Sequence, residues 1–207
     1  MNRLMTDRRT FIRGAAAATL LRPGLAAAHV EAEPVVPTYD VPDEHLPQRV
    51  SIEHLDLRPD EIHVYPWEFA LYWTLPDRQA IRYTVGVGRP GLYEEGEFHV
   101  GMKRRFPRWT PTPGMLRREP ELYEKYRDGV PGGLENPLGA RALYLFQPGR
   151  GDTLLRIHGT HLPETLARAV SNGCARLIND QIVDFYDRVP IGTRVVLHPQ
   201  PSNFGVY

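Results

Sequence analysis

The chain has 207 residues, 42 % hydrophobic and 24 % charged, with 20 prolines, 18 glycines and a single cysteine. That balance excludes a wholly disordered chain, and the proline and glycine counts argue against a helical bundle and for short strands joined by turns. With 25 basic and 25 acidic residues there is no global positive field to hold nucleic acid.

Residues 1–28 read as a targeting segment and stand outside the fold. Asp7-Arg8-Arg9-Thr10-Phe11-Ile12-Arg13 resembles the twin-arginine export signal, with Asp7 where Ser or Thr is usual. The weakly apolar run at 14–21 is too short to cross a bilayer, and the small residues Ala26, Ala27 and Ala28 fit a cleavage site before His29. The expectation is an exported protein, periplasmic where the cell has an outer membrane, with no transmembrane anchor in its mature form. Removing this segment takes five arginines and one aspartate, leaving a net charge of −4. Residues 29–48, rich in Pro and Glu, read as an extended linker, and 49–207 as the folded domain.

Within that domain the stretch at 61–75 (EIHVYPWEFALYWTL) is aromatic and β-branched, which predicts two strands around a turn at Pro66. Alternation predicts further strands at 80–87 and 97–102, with the glycine-rich segment 86–91 as a turn and not a phosphate loop, since no helix or Lys-Ser/Thr follows. The segment 103–118 carries six basic residues and reads as a loop, either a solvated connection or a rigid wall contacting an anionic substrate. A short helix is expected at 119–126. Strands are expected at 142–146 and 153–157, the second ending at His158. Beyond Pro163, Leu162, Leu166, Ala169 and Val170 recur at helical spacing, predicting a short helix that Gly173 closes in a left-handed conformation. Asn179 is expected to cap a second helix over 180–189, with a last strand at 193–197.

The lone Cys174 gives this arrangement its chemical interest. In an oxidising compartment one cysteine cannot form an intramolecular disulfide, so it is either buried and inert or a retained nucleophile. A free thiol is mostly protonated near neutral pH and needs a base or a stabilising donor. His158 is the candidate: paired with Cys174 it forms a thiolate–imidazolium couple able to attack a carbonyl and then protonate a leaving amine. The backbone N–H groups of Gly173 and Cys174 are candidates for holding the oxyanion, and the carbonyl of Gly159 for orienting the imidazole. Each neighbour has a plain structural alternative, Ser171 and Gly173 as chain-turning residues and Arg176 as a surface charge. A zinc hydrolase using His158, His161 and Cys174 is a weaker alternative, since no Glu-x-x-His motif is present. A non-catalytic wall-binding module is another.

The order His158, a spacer, then Ser171-Asn172-Gly173-Cys174-Ala175-Arg176 resembles the signature of the L,D-transpeptidases with a YkuD-type catalytic domain. The likeness extends through Asn136-Pro137-Leu138-Gly139 and the ending at 186–193. It implies a mainly β fold, a YkuD-like sandwich or mixed sheet whose short helices carry the cysteine motif. It also implies Cys174 as nucleophile, His158 as base and acid, and Ser171, Gly173, Gly159, Asn172 and Arg176 as the frame of the site. The implied reaction is acyl transfer on peptidoglycan stem peptides through a thioester, giving 3→3 cross-links, with no cofactor and with carbapenem sensitivity. Water, a D-amino acid or a lysine of an envelope lipoprotein are alternative acceptors. Arg176, Arg104, Arg105 and Arg108 are the candidate contacts for substrate carboxylates. Two departures stand out: Asn172 occupies the position where a histidine is usual, and Glu94-Glu95-Gly96-Glu97 replaces the family's Thr-Pro-Thr-Gly turn.

Overall fold

The computed structural model describes residues 32–201 and 204. The signal expected over residues 1–28 lies outside them. The described elements are eleven strands, three α-helices and short 3-10 turns. The strands are β1 Gln48–Ser51, β2 Ile62–Tyr65, β3 Ala70–Leu75, β4 Gln79–Thr84, β5 Val87–Gly88, β6 Gly96–Arg105, β7 Arg141–Gln147, β8 Gly151–Thr160, β9 Ala169–Ser171, β10 Ala175–Ile178 and β11 Arg194–Leu197. The helices are α1 Pro113–Arg118, α2 Pro120–Tyr123 and α3 Asn179–Arg188.

Nine strands form one mixed sheet in the order β1-β4-β3-β2-β11-β6-β7-β8-β10. Most neighbours are antiparallel, as hairpins joined by short turns require, while β2 with β11 and β8 with β10 run parallel. The sheet curls until its two halves approach. Gly86, just past β4, and Arg176 in β10 exchange backbone hydrogen bonds of 3.0 and 2.9 Å. A side chain at 86 would run into the Thr165 carbonyl, so glycine permits this closure. Between the halves lies one core that joins Ile62, Leu71 and Tyr83 from one side to Leu143, Ile157 and Leu177 from the other. Helix α3 covers it with Ile182 and Phe185, both fully buried, and the Phe185 ring meets Tyr83 edge-on at 5.2 Å. Each such side chain contributes about 1.5–3 kcal/mol by leaving water.

The mixed-sheet, mainly β expectation agrees with this architecture, but several local expectations are corrected. The strand expected at 97–102 runs to Arg105, so Arg104 and Arg105 belong to β6 rather than to a loop. The remaining loop contains α1, whose Thr112 side chain caps the Met115 N–H at 3.2 Å, with Pro113 as its first residue. The helix expected at 119–126 is broken into α2 and a 3-10 turn at Glu124–Tyr126.

Between Leu162 and Ser171 there is no α-helix. Only a 3-10 turn, Pro163–Thr165, forms; Leu166 is already extended, Ala167 is left-handed with φ 52°, and the chain enters β9, which pairs in parallel with β5. The apolar spacing was real but served burial of Leu166 and strand pairing instead. Asn179 does not cap α3. Ile178 occupies the cap position, and the wholly buried Asn179 amide ties the helix start to neighbouring segments: its Oδ1 accepts from the Ala140 N–H at 2.9 Å, and its Nδ2 donates to the Leu134 carbonyl and to Tyr39 Oη. Residues 34–47, expected within the linker, are bonded to the domain through Tyr39, Glu44 and His45, the last accepting from Gln181.

Candidate active site

Strands β8 and β10 bring the two expected reactive residues together. They pair in parallel with Ala175 opposite Ile157 and Arg176 opposite His158, which sets Cys174 at the mouth of β10 beside Arg156. His158 is not at the strand end, because β8 continues to Thr160, and it is held on its other side by Ala142 of β7. A residue inside a three-strand stack is fixed more tightly than one at an edge, which suits a group that must keep a set orientation.

His158 is 5 % exposed and its Nδ1 sits 2.8 Å from the Gly159 carbonyl oxygen. A carbonyl only accepts, so Nδ1 carries the proton and donates it, leaving Nε2 with a free lone pair. Burial and the charge of Arg176 push the imidazole down to about 3. The Cys174 thiol is pushed up by burial; the facing backbone N–H of Arg156 and the charges of Arg156 and Arg176 oppose this. Both directions favour a neutral thiol beside a neutral imidazole at rest. The thiolate–imidazolium couple expected from the sequence would then form as attack begins rather than beforehand. One consequence is measurable. With His158 already a free base far below neutrality and the thiol titrating above its usual range, kcat/KM should stay flat from about pH 5 to about pH 8. An acid limb near 6.5 in stopped-assay pH profiles would refute it.

The turn carrying Cys174 is built by Ser171 and Gly173. The Ser171 hydroxyl donates to the Cys174 carbonyl at 2.6 Å and accepts from the Gly173 N–H at 3.2 Å. Gly173 has φ +115°, and a Cβ there would meet the Leu92 carbonyl oxygen at 2.7 Å, so both conformation and space demand glycine. It turns one strand into the next and does not close a helix. Because its N–H is held by Ser171, it is also less available as an oxyanion donor than expected.

Cys174, His158, Ser171, Asn172 and Arg176 all line one cavity of about 760 Å³. Its walls are Trp109, Tyr123 and Leu122 on the α1–α2 side and Tyr144, Leu154 and Arg156 on the β7–β8 side. Arg176 also lines this space, with its Nε buried and without a hydrogen-bond partner. Of the loop arginines expected to reach substrate, Arg108 lines the cavity and Arg104 and Arg105 do not. Asn172 accepts from Arg118 at 3.0 Å and Arg89 at 3.4 Å, and donates to Tyr123 Oη at 2.8 Å.

Three contributors were not found from sequence. Arg156 is locked by Asp152, which takes its Nη1 and Nη2 at 2.7 and 2.9 Å, and its guanidinium lies 3.9 Å over the Tyr144 ring. Its alternation in TLLRI was visible, but nothing marked it as facing the thiol. Tyr123 and Arg118 lay in segments whose helical content was misjudged. His161 lines the cavity with His158 and Cys174, yet among the described residues no three His, Cys, Asp or Glu side chains are grouped to hold a metal ion.

The chain is similar to several known proteins. Residues 59–197 match the family model of the YkuD L,D-transpeptidase catalytic domain. The chain is 36 % identical over 140 residues to the probable L,D-transpeptidase ErfK/SrfK of Escherichia coli K12, covering 66 % of this chain and 43 % of that protein. It is 31 % identical over 182 residues to the probable L,D-transpeptidase YbiS of the same strain, covering 83 % and 56 %. A solved Brucella melitensis structure, described as a probable carnitine operon oxidoreductase, is 42 % identical with a TM-score of 0.50, covering 74 % of this chain and 93 % of that one. The chain spans about half the length of the curated relatives it matches.

Proposed function

Since the chain belongs to the YkuD family of L,D-transpeptidase catalytic domains, we propose that it is a cysteine acyltransferase working on peptidoglycan stem peptides, with Cys174 as nucleophile and His158 as base and acid. The observation that carries the reading is the Nδ1–Gly159 hydrogen bond, which leaves His158 Nε2 free to take a proton in the cavity that holds the thiol. In the first step Nε2 accepts the thiol proton as sulfur attacks the carbonyl of the third stem residue. The Cys174 N–H is the oxyanion donor we assign, because that of Gly173 is held by Ser171. Collapse returns the proton to the departing nitrogen, releasing D-alanine and leaving a thioester. In the second step the side-chain amine of a diamino acid on another stem attacks the thioester, His158 takes its proton, and the product is a 3→3 cross-link with the thiol restored.

Arg176, Arg156 and Arg108 around the cavity suit a substrate bearing several carboxylates. A carbapenem, whose strained carbonyl Cys174 can open, is the matching inhibitor class. Export through the twin-arginine-type segment at 1–28 would bring the enzyme to this substrate; among the described residues no helix is long and apolar enough to cross a membrane.

The test is to incubate the protein with disaccharide tetrapeptide and resolve the products by mass. A dimer lacking one D-alanine is the expected result. Tripeptide monomer alone would reassign the acceptor to water, exchange of the terminal residue to a D-amino acid, and modification of an added lipoprotein to its lysine. No change of the tetrapeptide under any of these conditions would overturn acyl transfer.

A further inference from the structure

Asn172 stands where the motif resemblance leads one to expect histidine, and its contacts say what an asparagine does there. Its carbonyl oxygen receives two guanidinium groups, Arg118 at 3.0 Å and Arg89 at 3.4 Å, while its amide donates to Tyr123 Oη at 2.8 Å. An amide oxygen has two lone pairs and the NH₂ is a separate donor, so one neutral side chain serves all three. A neutral imidazole offers a single acceptor and a protonated one offers none, so histidine could not hold both arginines. The three partners come from different segments: Arg89 follows β5, Arg118 ends α1 and Tyr123 ends α2. Asn172 thus fastens the α1–α2 arm to the turn that carries the nucleophile.

The two arginines differ in charge balance. Arg89 is neutralised by Glu119, 2.5 Å from its Nη2. Arg118 has no carboxylate within ion-pair distance among the described residues, and it is exposed on the cavity wall. It is therefore a cation anchored at Asn172, two residues before Cys174, that shares the field of Glu119 without pairing with it, since Glu119 is bonded to Arg89.

We propose that Asn172 is a positioning residue that sets Arg118 to bind the terminal carboxylate of the stem peptide, the carboxylate of the residue that leaves. This rests on the acyl-transfer reading above and deepens it. When the scissile carbonyl meets Cys174, the carboxylate of the leaving residue lies only about 4 Å farther along the chain. Among the other arginines of the cavity, Arg156 is occupied by Asp152 and lies on the β7–β8 side, Arg108 donates to the Asp128 carbonyl, and Arg176 is half-buried in β10 with its Nε out of reach of solvent, whereas Arg118 is exposed. Arg118 is the one tethered to the nucleophile turn itself. A terminal carboxylate requirement makes the enzyme selective for stems that end one residue beyond the attacked carbonyl.

The test uses a Cys174→Ala background, in which ligand is not consumed, and measures calorimetric affinity for a tetrapeptide stem as free acid and as terminal amide. The parent is expected to favour the acid at least about tenfold, as a charge-assisted pair requires. Arg118→Gln should bring the ratio to within about twofold. Asn172→Asp should do the same although it can still hold the arm, because its carboxylate would neutralise Arg118. Asn172→Ala should lower the ratio, and Asn172→Ala with Arg118→Gln should lose no more than Arg118→Gln alone. A parent without preference, or an Arg118→Gln protein that keeps it, would overturn the assignment. The cysteine-intact protein's turnover of disaccharide tetrapeptide decides the acyl-transfer reading separately, since the affinity ratio needs no chemistry.

Discussion

Cys174→Ala protein is expected to release no D-alanine from tetrapeptide, a loss of at least about 10⁴-fold, while folding normally. The size follows from the chemistry: without sulfur there is no thioester, and the Ser171 hydroxyl in the same cavity is committed to the Cys174 carbonyl. The intact fold follows from the contacts. Ser171 holds residue 174 through its backbone carbonyl, which any residue supplies, and Gly173 supplies the conformation of the turn. Thermal melting should therefore move by only a few degrees, and mass spectrometry should show no carbapenem adduct where the parent shows one. His158→Ala should cost about 10²–10⁴-fold, the range for a general base, and should leave the thiol open to iodoacetamide. Turnover by the alanine variant above background would remove the mechanism altogether.

How much of this was legible in the sequence depends on the kind of signal. Cys174 and His158 stood out because a single thiol with glycine, serine and arginine around it is chemically unusual. The strands at 61–75 and 142–157 were legible because they are short apolar runs, rich in aromatic and branched side chains and set off by turn residues, as strands buried on both faces require. The helix wrongly expected before Ser171 shows the limit of periodicity. Leu162, Leu166, Ala169 and Val170 match a helical stripe, yet Val170 is exposed and the segment ends as β9 because Val87 and Gly88 offer a strand to pair with. That partner is some eighty residues away in sequence, and no local pattern announces it. Asn179 was similarly ambiguous: asparagine before an apolar run is a fair cap, but the buried junction between α3, β8 and residues 134–140 needed its amide more. The push of His158 and Cys174 toward their neutral forms was not legible, since it depends on how far the curled sheet buries His158 and draws Cys174 in at the cavity wall.

That same junction carries the second large effect. Gly159→Ala is expected to destabilise the protein by about 2–4 kcal/mol and to depress turnover further than the stability loss explains. A Cβ at 159 would lie 2.3 Å from Asn179 Oδ1, 2.9 Å from Ile182 Cγ2 and 3.1 Å from the Ala140 nitrogen. None of these can step aside. Asn179 and Ile182 are wholly buried, and the Asn179 oxygen is already bonded to the Ala140 N–H. The strain is relieved only if β8 moves away from α3, and the Gly159 carbonyl that orients His158 moves with it. In a domain of this size the melting temperature should fall by about 5–15 °C, and the ¹⁵N spectrum of His158 should lose the single tautomer that the Gly159 hydrogen bond selects. Gly133→Ala is the matched control: a Cβ there meets nothing within 4 Å and its backbone is ordinary, so stability should change by less than about 0.5 kcal/mol. Equal stability of the two variants would show that close packing at Gly159 does not hold the imidazole, and the base would then owe its orientation to the β8 backbone alone.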